Sequence, residues 1–147
     1  MDKNLTILLT LKDRCAYTRA FMSYANQICC PFKILIADGG ASKEIEEVLQ
    51  DKTNYPNLRY EYIRYPYDET VEHFHFKLCD VVKRVKTPLV VIIDNDDYFL
   101  LSALYKNIEF LRENPDFTSS RGGLWNLNLG STECSINGNM YDPIHLY

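Results

Sequence analysis

Thr87–Phe99, TPLVVIIDNDDYF, is the stretch on which the reading of the fold turns. Leu89, Val90, Val91, Ile92 and Ile93 follow Pro88 without a polar break, and the run stops on Asp94, Asn95, Asp96 and Asp97. A short, β-branched run with no polar face predicts a strand buried on both sides, as in the middle of a parallel sheet. Its carboxylates then stand just past the C-terminal end of the strand, where open α/β sheets bind their ligands. Three neighbouring acids repel one another unless a cation or hydrogen-bond donors offset the charge. Asp94 and Asp96 are two residues apart and share a side of an extended segment, so one divalent ion can bridge them. All-oxygen ligation favours Mg²⁺ or Mn²⁺, which keep waters and take further ligands from phosphates. The competing reading is a solvated acidic turn in which Asp96 or Asp97 caps the next helix.

Composition sets the outer bounds. A chain of 147 residues carries one compact domain with a core, and 46% apolar with 24% charged residues is the balance of an ordered globular protein. A net charge of −4 without a local basic patch argues against nucleic acid as the partner. Five cysteines, an odd number without metal-type spacing, predict reduced thiols and a cytoplasmic setting. No stretch approaches the length needed to cross a bilayer, and peripheral membrane association is compatible with that.

Outward from the central stretch, the pattern alternates. Leu5 to Leu11 predicts a first strand ending on Lys12, Asp13 and Arg14. From Cys15 to Ile28, apolar residues at spacings of three and four predict an amphipathic helix. Phe32 to Ala37 predicts a second strand closing on Asp38, with Gly39 and Gly40 as a turn that lets backbone approach a ligand. Ser42 starts a helix within Ala41 to Lys52, and the tyrosine-rich Leu58 to Tyr65 predicts a strand nearer an edge. Thr70 to Lys86 carries Val71, Phe74, Leu78, Val81, Val82 and Val85 on one helical stripe. His73 and His75, two apart, point in different directions on that helix and do not share a metal. Ser102 to Glu113 predicts a last helix with Leu104, Ile108 and Leu111 inward, stopped by Asn114 and Pro115.

Four strand–helix units imply a mostly parallel, Rossmann-like α/β sheet with right-handed crossovers and helices on both faces. With strand order 3-2-1-4 the direction of winding reverses between the first and fourth strands, and that reversal makes a ligand crevice. Lys12, Asp13, Asp38 and the Asp94 to Asp97 cluster all stand at C-terminal strand ends and are expected to converge there.

These strand endings, Lys12 and Asp13, then Asp38 with Gly39 and Gly40, then Ile93 to Asp97, resemble the nucleotide-binding half of family 2 glycosyltransferases of the GT-A type. The resemblance covers about Leu5 to Gly123. It implies a single domain over 1–147, with 5–116 as the nucleotide-sugar-binding half and 117–147 as the start of a truncated or divergent acceptor half. The implied donor is a UDP-sugar and the implied acceptor a saccharide or other hydroxyl compound, with Mn²⁺ or Mg²⁺ assisting, as in polysaccharide biosynthesis. By the same likeness Asp38 meets the nucleobase and Lys12 and Asp13 flank base and ribose. Asp94 meets the ribose or the metal's water shell, and Asp96 the metal and diphosphate. Thr10, Gly39, Lys77 and Asn95 complete the donor set, Lys77 standing nearest to a donor-contacting arginine of the family; Asp94, Asp96 and Asp97 form the metal set.

The residue types suit this chemistry. A departing diphosphate needs its charge stabilised, and a carboxylate-held divalent ion does so without proton transfer. An inverting transfer also needs a base at the acceptor hydroxyl. Glu133 and Asp142 are the only carboxylates after Asp116 and so the candidates. Other readings fit less well. A sugar-1-phosphate nucleotidyltransferase needs a glycine-rich loop after Leu11, a dehalogenase-like phosphatase places its aspartates after the first strand, and a receiver domain needs a phosphoacceptor aspartate where Tyr65 and Pro66 end the third. A non-catalytic sugar-nucleotide-binding module is the main alternative.

Overall fold

The computed structural model describes residues 2–120 and the short strands Trp125–Leu127, Cys134–Ile136 and Asn139–Met140. The chain forms two compact units, Met1–Leu101 and Ser102–Tyr147. In the first, β1 (Leu5–Leu11), β2 (Lys33–Asp38), β3 (Tyr60–Arg64) and β4 (Leu89–Asp94) make one all-parallel sheet in the order β3-β2-β1-β4. The expected α/β class and strand order are both present. Connecting the strands are α1 (Cys15–Gln27), α2 (Lys43–Gln50) and α3 (Val71–Val82).

Strand register decides which side chains share a face. Thr10 pairs with both Ala37 and Asp94, while Leu11 pairs with Asp38, which in turn pairs with Arg64. Neighbours in a row point the same way and successive rows alternate. One face carries Leu8, Leu35 and Ala37, packed against Val81, Leu78 and Val85 of the α3 region. The opposite face carries Ile7, Leu9, Leu11, Ile34 and Ile36, all fully buried. Phe21, Met22 and Ala25 of α1 and Ile45 and Leu49 of α2 are buried too. Right-handed crossovers require this split, because winding reverses after β3 and carries α3 to the other side of the sheet. Each buried Leu or Ile contributes on the order of 2 kcal/mol of apolar transfer.

Local chemistry sets the helix starts. The Ser42 hydroxyl accepts from Ile45 N at 3.3 Å, with Glu44 and Glu46 in the first turn of α2. The Thr70 hydroxyl accepts from His73 N at 3.3 Å at the start of α3. Arg14 begins α1 in a left-handed conformation without a side-chain cap, and Asp13 before it is left-handed as well.

Three expectations need correction. β4 lies at an edge of the sheet, and Val90 and Ile92 are 41% and 50% exposed, so it is not a doubly buried central strand. The reason is lateral: α3 packs over β1 and β2 and does not cover the outer strand on that face. Second, the α3 stripe is rotated, with Val71 and Val82 exposed and Lys77 fully buried beside Val81. Third, neither Asp96 nor Asp97 caps a helix; Asp97 N donates to the Asp94 carbonyl at 3.2 Å in a turn, and the next helix starts only at Leu101.

The second unit contains α4 (Leu101–Glu113), which begins at the division between the units, and an antiparallel sheet ordered β5-β6-β7, formed by Trp125–Leu127, Cys134–Ile136 and Asn139–Met140. Ile108 is the buried residue of α4, and Phe110 and Phe117 meet edge to face at 5.3 Å. Among the described residues, no helix is long and apolar enough to cross a membrane.

Candidate functional site

At the C-terminal ends of β1 and β4 the first unit opens into a cleft of about 500 Å³. Its walls come from the end of β1 (Thr10, Leu11, Lys12, Arg14), the end of β4 (Asp94, Asn95, Asp96) and the segment entering α3 (Asp68, Glu69, Thr70, Val71, Phe74, Lys77). Strand order places it at the winding reversal, where parallel sheets leave a crevice.

The β4 side is acidic. Thr10 Oγ1 donates to Asp94 Oδ1 at 2.5 Å, and Arg14 Nη1 meets Asp96 Oδ2 at 2.5 Å. Both members of the Arg14–Asp96 pair are largely exposed, so the pair adds little net stability and yields readily to another partner. Asn95 faces inward, donating to Thr18 Oγ1 of α1 at 3.0 Å, and so fixes the turn between two exposed acids. The Asp97 carboxyl is pushed above its ordinary value, mainly by burial and then by Asp96 and Asp94. The turn is therefore electrostatically loaded as it stands, and a cation there would relieve it.

A second cluster closes the other side. Lys77 Nζ is buried, donates to the Leu11 carbonyl at 3.1 Å and forms an ion pair with Asp68 Oδ2. Lys12 Nζ donates to the backbone carbonyl of Asp68 and lies 4.8 Å from the centre of the Tyr67 ring. Asp68 is held in turn by its N–H, which donates to the Gly39 carbonyl at 2.8 Å. Gly39 is needed here because a Cβ on it would stand 2.3 Å from the Asp68 carboxylate. Asp68 Oδ1 is buried with no hydrogen-bond partner among the described residues.

The structure thus brings together Thr10, Lys12, Lys77, Asp94, Asn95 and Asp96 of the expected set. Others do not line the cleft. Asp38 points to the α1–α2 face and is fully buried, with Oδ2 accepting from Tyr62 Oη and Arg64 Nη1, each at 2.7 Å, and Oδ1 from Gly40 N at 2.8 Å. The expected meeting of Asp38 with a nucleobase has no exposed oxygen to make it, because the odd–even register turns it away from Asp94. Asp13 is taken up in structure too, accepting from Ala41 N at 2.7 Å and Ser42 N at 3.2 Å. Gly39 backs the cleft from behind Asp68, and Asp97 stands outside its wall. Glu133 and Asp142 lie outside the described residues.

Sequence reasoning missed Asp68 and Arg14. A signal existed for both: each stands in a polar loop at the C-terminal end of a parallel strand, which is the rule that found Lys12 and Asp94. Among the described residues, no three acidic, histidine or cysteine side chains converge on one point to hold an ion alone. Two carboxylates with room for water and a ligand's phosphates remain a fitting donor set for Mg²⁺ or Mn²⁺. No family model matches the chain, and no curated protein matches it.

Proposed function

We propose that this cleft binds a nucleoside-diphosphate sugar and that the protein is a glycosyltransferase, moving the sugar to an acceptor hydroxyl with help from a divalent cation. The observation that carries this reading is the pairing of acids and cations on one wall: Asp94 and Asp96 at the end of β4, with Arg14 and Lys12 from the end of β1 beside them. Asp94 and Asp96 would hold Mn²⁺ or Mg²⁺. When bound, the ion supplies Lewis-acid stabilisation of the departing diphosphate. Arg14 releases its exposed pairing to Asp96 and turns its guanidinium to phosphate oxygens, for which its planar fork is suited. Lys12, already at the rim, adds a second positive charge, and the buried Lys77 holds the floor in place through Asp68 and the Leu11 carbonyl. The bond that breaks joins the anomeric carbon to the phosphate oxygen; the bond that forms joins that carbon to the acceptor oxygen, whose proton passes to a base.

The test is turnover of a panel of nucleoside-diphosphate sugars by the full chain, read as nucleoside-diphosphate release with Mn²⁺ and with a chelator. Release that needs the ion and disappears in Asp96→Asn is the expected result. Absence of release from every donor, with binding intact, would turn the reading into a non-catalytic binding module.

A further inference from the structure

A cation already sits on the acidic turn, and the chain itself supplies it. Arg14 Nη1 meets Asp96 Oδ2 at 2.5 Å, on a carboxylate that the proposed reading gives to Mn²⁺ or Mg²⁺. The backbone under Arg14 is held in an uncommon shape. Asp13 and Arg14 are both left-handed, at φ 59° and 55°, a conformation that costs a non-glycine residue free energy and persists only where neighbours enforce it. Those neighbours are present. Asp13 Oδ1 accepts from Ala41 N at 2.7 Å and from Ser42 N at 3.2 Å, and Gly40 makes room, since a Cβ on it would stand 2.5 Å from Asp13 N. On the other side, Asn95 Nδ2 donates to the Thr18 hydroxyl at 3.0 Å and ties the turn after β4 to α1. Both backbones are thus fixed, while the two side chains that meet between them are 59% and 41% exposed and free to change partners.

Resting on the nucleotide and metal reading above, we propose that Arg14 is an internal counter-ion that keeps a divalent cation off Asp96 until a nucleoside diphosphate arrives. A divalent ion and a guanidinium on one carboxylate repel each other, so in the empty cleft the ion must displace Arg14 or bind beside it at a penalty. A diphosphate offers the guanidinium a stronger partner, with oxygens spaced for its planar fork, and draws it from Asp96. The freed carboxylate then faces an ion that the diphosphate also attracts. Ion and nucleotide therefore favour each other by more than their direct contact, and by linkage each raises the other's affinity by the same factor. The consequence is order of binding: the cleft discriminates against the free cation and takes it up together with the nucleotide.

The experiment measures two quantities on the full chain: Mn²⁺ binding in the absence of nucleotide, by electron paramagnetic resonance, and UDP affinity with Mn²⁺ and with a chelator, by calorimetry. Arg14→Gln should bind Mn²⁺ alone at least about threefold more tightly than the unaltered protein, a factor on the scale of an exposed ion pair. The same variant should shrink the Mn²⁺-dependent gain in UDP affinity by at least about threefold. Arg19→Gln removes an equal charge from the same helix, where it pairs with Glu44 at 2.7 Å and not with the acidic turn, and should leave both quantities unchanged. If Arg14→Gln binds Mn²⁺ no more tightly, or Arg19→Gln tightens it as much, the counter-ion role is overturned and the metal and nucleotide reading stands. If none of the three proteins binds Mn²⁺ and UDP affinity ignores the ion, both are overturned.

Discussion

Lys77 and Asp68 show how much one buried pair can matter. Both side chains are almost wholly removed from water, and the ammonium is held by one carboxylate oxygen and one carbonyl. Removing one member leaves the other charged and buried, a change that costs about 3–5 kcal/mol. Lys77→Met should therefore lower the unfolding free energy by that amount, read as a fall in the denaturant midpoint at unchanged slope, and Lys77→Met with Asp68→Leu should regain most of the loss. A single-variant loss below about 1 kcal/mol would mean the pair is solvated in the folded protein. Asp97 makes the opposite kind of statement. Its folded carboxyl is raised above the ordinary value, so the folded state binds a proton more readily than the unfolded chain. Ionised Asp97 therefore weighs against the fold at pH values above its raised value, and the penalty vanishes once pH falls below the unfolded value. Asp97→Asn should raise the melting temperature at pH 7 and leave it unchanged near pH 3, in metal-free buffer. A drop at pH 7 would show that this carboxylate has a favourable partner.

Among the elements, β4 is where sequence and structure part. Its unbroken apolar run implies burial on both faces, yet Val90 and Ile92, on the face where α3 packs, lie beyond the strands that α3 covers. Ile92→Thr should consequently change stability by less than about 0.5 kcal/mol, whereas Ile34→Ala, in a fully buried position of β2, should cost about 2–5 kcal/mol. A loss at Ile92 as large as at Ile34 would show that β4 is covered in solution. Ser42→Ala removes the cap of α2 and should cost about 1 kcal/mol, read by the same denaturant titration. Most of the secondary structure was legible because alternation of short apolar runs with stripes of period 3.6 leaves few other solutions, and the order β3-β2-β1-β4 is the doubly wound arrangement supposed for such an alternation. What was not legible was lateral coverage. An edge strand and a central strand can carry the same run, since exposure depends on where a helix from a distant part of the chain comes to lie. The α3 stripe misled for a related reason: Lys77 sits in the buried row only because Asp68 and the Leu11 carbonyl receive its charge, and neither partner shows in a helical pattern.

At the scale of the whole molecule, the question is what a parallel sheet gathers at its rim. Convergence of polar strand ends was readable, and it brought Lys12, Asp94 and Asp96 to one cleft. Parity was harder to read. Asp38 and Asp94 each end a strand, but they fall on successive rows, Leu11 with Asp38 and Thr10 with Asp94, and so face opposite sides of the sheet. Asp68 lines the cleft from the segment after β3, with its carboxylate held by the buried Lys77. The resulting wall mixes three cations with four carboxylates, a balance suited to a ligand that arrives as an anion together with a divalent ion. Calorimetric titration of UDP into the full chain, once with Mn²⁺ and once with a chelator, tests this most directly. The account predicts binding with Mn²⁺ at least about tenfold tighter than without it, and no such difference in Asp96→Asn. Equal affinity in both buffers, or binding in neither, would contradict it.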